Sequence, residues 1–220
     1  MKRVTIFSGH YGSGKTNVAI NYALSLSEKG YGVSVADLDI VNPYFRTKDS
    51  EELFSKKGIE LISLPFANTS VDLPSLPSAA YGLFDRRDKK VVIDLGGDDR
   101  GALALGRFVP RILEENDYEM IFTVNFYRPL TTTVEDAYEV FKEIECAARL
   151  KFTKIINNSN LGEATRAEDV LKTVELSERL AAMTGIECGF VSAEKGIACE
   201  LSKVLGEEKV FPLILQEKMF

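Results

Sequence analysis

The chain has 220 residues, of which 45% are hydrophobic and 27% are charged. That length supports a full hydrophobic core without metal or disulfide support, and we interpret residues 1–220 as a single domain. The 33 acidic and 27 basic residues give a net charge of −6. This balance disfavours sequence-independent binding to DNA or to an anionic membrane surface. No apolar run approaches the roughly 20 residues that a membrane span needs.

The cysteines and the start of the chain bear on its compartment. Cys146, Cys188 and Cys199 are odd in number, far apart and without a C-x-x-C pair, which predicts buried free thiols in a reducing environment. An apolar strand pattern begins at Val4, and we see no signal peptide ahead of it. We therefore expect a cytoplasmic protein.

The first predicted strand, Val4–Phe7, leads into the most informative segment of the chain. The eight residues after Ser8 read G-H-Y-G-S-G-K-T and fit the phosphate-loop pattern G-x-x-x-x-G-K-[ST]. Glycines let backbone N–H groups turn inward as an anion nest. A helix is predicted over Thr16–Lys29, with Gly30 at the position of a C-terminal cap. Strand, loop and helix in this order predict that the loop binds a nucleotide through Gly9, His10, Tyr11, Gly12, Ser13, Gly14, Lys15 and Thr16.

Two loop residues have more specific predicted roles. Lys15 is placed to reach the outer phosphates, and the hydroxyl of Thr16 is placed to bind Mg²⁺. Because of this position at the outer phosphates, we count Lys15 among the catalytic residues.

Further short apolar runs alternate with helical patterns to the end of the chain. This alternation predicts an α/β fold: a doubly wound, mostly parallel sheet of the P-loop nucleoside triphosphate hydrolase type. Helices with capping-box spacing are predicted after Thr132 and Thr165. The later predicted strands are 32–37, 59–64, 91–95, 120–124, 154–157 and 186–191.

Acidic residues end two of the predicted strands, where α/β proteins place ligands. Asp94 closes the strand 91–95, and we predict that it holds a water of the Mg²⁺ shell. Asp37 and Asp39 alternate along the end of the second strand and therefore point to the same side. We predict that Asp37 also serves the metal and that Asp39 is catalytic and orients the attacking water.

The glycine loop, the D-x-D after strand two and the aspartate-glycine end of strand four together resemble the MinD/ParA/Mrp group of P-loop ATPases. The likeness extends from the N terminus to about Asn160. It implies ATP and Mg²⁺ as cofactors, with Thr16, Asp37 and Asp94 around the metal. It also implies an ATP-dependent homodimer that acts on an unidentified protein partner or cargo.

The chain departs from this group at His10, where the signature loop carries a second lysine that reaches the nucleotide of the partner subunit. Arg46 or Arg100, each shortly after one of the acidic strand ends, could supply that charge instead. The base is predicted from a weaker pattern. The segment 157–160 lacks the N-K-x-D of guanine readers, and the resemblance makes Asn157 a candidate contact to adenine.

The sequence leaves the reaction partly open. The preferred function is a Mg²⁺-dependent ATPase that acts as a conformational and dimerisation switch. One alternative is an ATP-dependent small-molecule ligase or kinase of the cobyrinate or dethiobiotin synthetase kind, with substrate contacts in the long connection 65–90, where a helix could start near Pro74. Another alternative is an ATP-gated binding module whose hydrolysis has decayed. The C-terminal segment 210–220 contains Pro212, and we expect it to pack against the domain rather than to bind a membrane.

Overall fold

The computed structural model describes residues 1–39, 48–63, 78–97, 101 and 105–215. Its centre is an eight-stranded sheet of order β3-β2-β4-β1-β5-β6-β7-β8, in which every neighbouring pair is parallel. The strands are β1 Val4–Ser8, β2 Val33–Leu38, β3 Glu60–Ser63, β4 Lys90–Leu95, β5 Tyr118–Val124, β6 Lys154–Asn157, β7 Glu187–Glu194 and β8 Val210–Leu213. The expected doubly wound α/β fold is confirmed.

Helices connect these parallel strands, as parallel pairing requires. The described α-helices are α1 Lys15–Glu28, α2 Lys48–Lys56, α3 Ser78–Asp85, α4 Val109–Glu115, α5 Val134–Ala148, α6 Ala167–Leu171, α7 Val174–Thr184 and α8 Lys195–Leu205. Short 3₁₀ turns lie at Pro129–Thr131, Gly162–Ala164 and Glu207–Lys209. The predicted start of a helix near Pro74 and all of residues 65–77 of the connection 65–90 lie outside the described residues.

Helices on both faces bury the sheet in two main cores. Along β1, Val4 and Ile6 belong to the core on one face and Phe7 to the core on the other, as the period of two along a strand dictates. Helix α1 covers the face of Phe7 with Val18 and Ile20, among others. The buried central strands read as continuous apolar runs because both of their faces are covered.

Strand β8 is absent from the sequence prediction because it contains Pro212. It lies at the edge of the sheet beside β7, where a residue without an N–H group is tolerated. Leu213 is buried, and the rings of Phe211 and Phe190 lie 5.0 Å apart. The expected packing of the C-terminal segment is thus confirmed for β8, whereas the side chains of Ile214 and Leu215 are exposed.

Other local predictions need correction. The N-cap of α5 is Thr133, whose side chain accepts from the N–H of Asp136, so the predicted capping residue Thr132 is one position early. Cys146 and Cys199 are exposed and Cys188 is half-buried, so the expectation of buried thiols is wrong. Within the part of the chain that the structure describes, no helix is long and apolar enough to cross a membrane.

Candidate functional site

The glycine loop lies at the carboxyl end of β1, enclosed by the ends of the two neighbouring strands. A Cβ atom on Gly9 would lie 2.2 Å from the carbonyl oxygen of Thr123 at the end of β5. A Cβ atom on Gly97, just after β4, would lie 2.3 Å from the carbonyl oxygen of Gly9. Side chains at either glycine would therefore push the loop out of this cleft.

The loop then turns directly into the first helix. Gly12 and Gly14 have φ angles of 79° and 80°, in the left-handed region that favours glycine. Gly14 is the N-cap of α1, and no side chain caps that helix end. The first N–H groups of a helix have no partner within it and carry partial positive charge. An uncapped helix end behind a glycine loop is suited to binding a phosphate.

The structure brings the predicted polar residues of the ends of β2 and β4 and of the start of α1 together. Lys15 forms an ion pair with Asp39, and the hydroxyl of Thr16 donates to Oδ2 of Asp94 at 2.6 Å. The N–H of Asp39 donates to Oδ1 of Asp37 at 3.0 Å, and Asp37 pairs in register with Asp94 across β2 and β4. All five side chains are nearly excluded from solvent: Lys15 5%, Thr16 7%, Asp37 3%, Asp39 5% and Asp94 0% exposed.

Burial and charge act against each other in this cluster. Burial raises the pKa of Asp94 to about 6, although Lys15 and the hydroxyl of Thr16 act to lower it. Burial also acts to lower the pKa of Lys15, but the carboxylates of Asp94 and Asp39 outweigh it, so the net pKa is raised. Lys15 therefore stays charged, and the carboxyl group of Asp94 resists ionisation.

Several buried polar atoms around the loop have no hydrogen-bond partner within the described structure. They are Oγ of Ser8, Oγ of Ser13, Oδ1 of Asp94 and Oγ1 of Thr123. Each buried polar atom left without a partner costs about 1–3 kcal/mol. Such atoms rarely accumulate in one place without a ligand, a water or an ion to satisfy them.

The oxygen atoms of this cluster fit a Mg²⁺ ion that enters the site together with bound phosphates. No group of three or more histidine, cysteine, aspartate or glutamate side chains able to hold a metal occurs in the described ranges. Mg²⁺ does not need such a cage, because it keeps several waters and binds through few protein oxygens plus substrate phosphates. The hydroxyl of Thr16 is an oxygen that can bind the ion, and the buried Oδ1 of Asp94 is one that can accept from a water of its shell.

Asn157 does not reach the loop. Its side chain is fully buried, its amide nitrogen donates to the carbonyl and hydroxyl oxygens of Thr173 at 3.1 Å and 2.9 Å, and its Oδ1 accepts from the N–H of Ser159. This arrangement corrects the expectation of a base contact at Asn157, because the side chain is directed into the protein. Arg46 and Arg100 lie outside the described residues.

The neighbouring Asn158 contacts the loop, although the sequence analysis passes over it. Its amide nitrogen donates to the carbonyl oxygen of Ser13 at 2.7 Å, and its Oδ1 accepts from Ser192 at 2.8 Å. A Cβ on Gly14 would lie 2.3 Å from that amide nitrogen. The signal was the run of asparagines at the end of β6, in which the second one, beyond the strand, faces the loop.

Arg128 is a second contact that the sequence analysis missed. It follows β5, and its Nε donates to the carbonyl oxygen of Gly12 at 2.9 Å. His10 and Tyr11, by contrast, turn to the surface. Tyr11 is 65% exposed, and the only described hydrogen bond of the His10 ring joins Nδ1 to the carbonyl oxygen of Tyr11 at 3.0 Å.

Comparison with known proteins places this geometry in a known fold. No protein-family model matches the chain, and no curated protein matches it. Among solved structures, chloroplast FtsY from Physcomitrella patens matches with a TM-score of 0.62 and 17% identity over 90% of this chain and 60% of that one. The signal recognition particle receptor FtsY from Elizabethkingia anophelis matches with a TM-score of 0.55 and 15% identity over 87% and 58%. The chain has the α/β fold of the P-loop nucleoside triphosphatases.

A third solved structure matches at similarly low sequence identity and over only part of its own length. The signal recognition particle 54 kDa protein from Aeropyrum pernix, solved in complex with GDP, has a TM-score of 0.50 and 16% identity over 86% of this chain and 41% of that one. The chain thus spans less than two thirds of the length of these three structures. At such identities the likeness concerns the fold and leaves the activity to be argued from the site.

Proposed function

We propose that the chain is a Mg²⁺-dependent nucleoside triphosphatase that uses the bound nucleotide as a switch. One observation carries the proposal: Lys15, Thr16, Asp39 and Asp94 are buried together at the uncapped start of α1, beside polar atoms that lack partners. A phosphate chain with its Mg²⁺ would satisfy the lysine, the helix N–H groups and the free oxygens at once.

Each residue has a part in this proposal. Thr16 would bind Mg²⁺ directly, and Asp94 and Asp37 would hold waters of its shell. The metal would neutralise charge on the phosphates. Lys15 would bind the outer phosphates, in exchange for its present partner Asp39. Asp39, released from Lys15, would orient the attacking water.

This exchange supplies the physical basis of a switch. While Lys15 pairs with Asp39, the end of β2 is tied to the phosphate loop. Phosphates that take over Lys15 would break this tie, and loss of the terminal phosphate would let Asp39 compete for Lys15 again. The state of the nucleotide is therefore communicated to the segment that follows Asp39.

We favour ATP over GTP as the nucleotide. The segment Asn157–Leu161 carries no acidic side chain that could accept hydrogen bonds from the base, as the aspartate of N-K-x-D does in guanine readers. Since Asn157 is buried, the contact to adenine falls to other groups near the ends of β5 and β6. GDP in the Aeropyrum pernix structure makes GTP the competitor to be tested.

The resemblance to the MinD/ParA/Mrp group adds an ATP-dependent homodimer and a protein partner or cargo to the proposal. His10 replaces the lysine that would cross to the partner subunit, so the dimer should be weaker than in proteins that have the lysine. The surface position of His10 and Tyr11 leaves this part of the loop accessible to a second subunit.

Calorimetric titration with ATP, GTP and ADP, with and without Mg²⁺, tests the proposal. We expect ATP to bind more tightly than GTP, and Mg²⁺ to tighten ATP binding. Thr16→Val should lose about tenfold in affinity for ATP in the presence of Mg²⁺ and little in its absence, because it removes the hydroxyl that would bind the metal. Thr16→Ser keeps the hydroxyl and is the matched control.

Two outcomes would overturn the proposal. Wild-type protein that binds no nucleoside triphosphate would remove nucleotide binding altogether. Turnover that yields a phosphorylated small molecule in place of free phosphate would replace hydrolysis with the ligase or kinase reaction.

A further inference from the structure

Arg128 lies in a turn whose backbone is fixed by hydrogen bonds on all sides. Its own N–H donates to the carbonyl oxygen of Asn125 at 3.1 Å, and its carbonyl oxygen accepts from the N–H of Thr131 at 2.9 Å. The hydroxyl of Tyr127, the preceding residue, donates to the carbonyl oxygen of Asp169 at 2.9 Å. The position of Arg128 relative to β5 is therefore set by the protein and needs no ligand.

The side chain of Arg128 reaches back over the glycine loop. Its Nε donates to the carbonyl oxygen of Gly12 at 2.9 Å. A Cβ atom on Gly12 would lie 3.4 Å from Nε and 3.5 Å from Cδ of Arg128, so the arginine stem and the loop backbone are in van der Waals contact. None of the described acidic residues forms an ion pair with Arg128, and the side chain is half-buried.

With this contact, both polar groups of one peptide unit of the loop are hydrogen-bonded. The peptide between Gly12 and Ser13 has its carbonyl held by Arg128 and its N–H bonded to the carbonyl oxygen of His10 at 3.0 Å. The next carbonyl, that of Ser13, is held by Asn158. A carbonyl that rotated towards the phosphate would repel it, whereas a carbonyl held outwards leaves only N–H groups facing the ligand.

The geometry points to Arg128 as a positioning residue of the nucleotide site, which holds the carbonyl of Gly12 outwards and so preforms the loop for the phosphates. The inference rests on the proposed nucleotide binding at this loop. A preformed loop binds more tightly because less freedom is lost on binding.

The length of the side chain offers a matched pair of variants. In glutamine the amide nitrogen is as many bonds from Cα as Nε is in arginine, so Arg128→Gln keeps a donor at the position that bonds Gly12. Methionine has a methyl group at that position, so Arg128→Met keeps the length and removes the donor. Arg87→Met, on an exposed turn before β4, controls for the loss of an arginine elsewhere.

The first readout is nucleotide affinity and turnover. Arg128→Met should weaken ATP and ADP binding equally, by about tenfold, and raise KM without changing kcat. Arg128→Gln should stay within about threefold of wild type, as a donor-mediated effect requires. Wild-type affinity in Arg128→Met, or equal losses in the two variants, would overturn the inference.

The second readout does not need a nucleotide. Amide hydrogen exchange of peptides that cover residues 9–16 reports the order of the loop in the unliganded protein. Arg128→Met should exchange faster there than wild type, while Arg128→Gln and Arg87→Met should not. Unchanged exchange in Arg128→Met would show that Arg128 does not order the loop. A wild-type protein that binds no nucleotide would overturn the proposed function, and hydrogen exchange would then still decide whether Arg128 orders the loop.

Discussion

The two sides of the glycine loop are built from different chemistry. On the side of β4 and β2, which we call the carboxylate side, Asp37, Asp39 and Asp94 surround Lys15 and Thr16. On the side of β5 and β6, which we call the amide side, the loop carbonyls are held by neutral or cationic donors, Arg128 on Gly12 and Asn158 on Ser13.

The two sides also differ in the charges that they bury. On the amide side, Asn158 is bonded at both ends of its carboxamide, to Ser13 and to Ser192, although Oγ1 of Thr123 on β5 has no partner in the described structure. The carboxylate side holds like charges in close contact and leaves Oδ1 of Asp94 without a partner in the described structure. The difference teaches that one side is a scaffold for the loop, while the other is under electrostatic tension that a metal and phosphate could relieve.

Removal of Asp39 should give the largest effect, and it should fall on the reaction rather than on binding. We expect Asp39→Ala to lower hydrolysis by about a hundredfold, because orienting the water matters mainly in the transition state. ATP binding should be unchanged or tighter, since Lys15 would no longer have to leave a carboxylate. Titration calorimetry and phosphate release on the same preparation separate the two quantities.

Weak binding together with normal turnover per bound ATP would make Asp39 a metal or structural residue. Asp88→Asn, at an exposed position before β4, is the control for the loss of an acidic residue. Such a result would move the water-orienting role to Asp37 or elsewhere and weaken the assignment of chemistry to the carboxylate side.

The burial of ionisable groups on the carboxylate side should make the free energy of unfolding depend on pH. The pKa of Asp94 is about 6 in the folded protein and about 3.9 in an unfolded chain. Between these values the folded protein holds a proton that the unfolded chain has released. Asp94 therefore makes the free energy of unfolding fall, by about 3 kcal/mol in total, as the pH rises from about 4 to about 6.

Asp94→Asn should remove this fall, because asparagine can still accept from Thr16 but does not ionise. Denaturant unfolding of wild type, Asp94→Asn and the control Asp88→Asn at a series of pH values measures it. A variant with the same pH slope as wild type would show that Asp94 is not the source of the tension.

Lys15 is the cation of the carboxylate side, and its loss should affect binding. Lys15→Ala should weaken ATP binding by at least about 2 kcal/mol, or about thirtyfold, because a charged donor to the phosphates is lost. The fold should survive, although three buried carboxylates then lack their cation. Calorimetry combined with far-ultraviolet circular dichroism checks both statements, and wild-type affinity in a folded variant would remove the phosphate loop from the proposal.

The carboxylate side could be predicted from sequence, because parallel strands bring their carboxyl ends to one edge and the motif marks the loop. Asp37 and Asp39 flank the last residue of β2 and Asp94 is the last residue but one of β4, and the apolar pattern reveals both strands. The pairing of Lys15 with Asp39 could not be foreseen, since it depends on how far β2 extends beside the loop. Strand β8 was missed because Pro212 argues against a strand unless the edge position is known.

The amide side was less accessible to prediction. Which of Asn157 and Asn158 faces the loop depends on where β6 ends, and a shift of one residue exchanges the buried side chain for the one that contacts Ser13. Arg128 carries no motif at all. Its contact with Gly12 arises from the turn after β5. The shape of that turn is set by hydrogen bonds that no spacing of residues in the sequence predicts.

The smallest expected effect concerns the exposed tip of the loop, which belongs to neither side. His10→Lys restores the lysine of the resembled group, and we expect it to tighten an ATP-dependent dimer about tenfold. A charge-assisted contact contributes about 1.5–3 kcal/mol, but solvent reaches this part of the loop and screens it.

Sedimentation of wild type, His10→Lys and the control His10→Gln, each with ADP and with a non-hydrolysable ATP analogue, measures the association. Monomers in every sample would contradict an ATP-dependent dimer, because even the variant with the lysine would then not associate. The small-molecule ligase or kinase would become the better account of the carboxylate side.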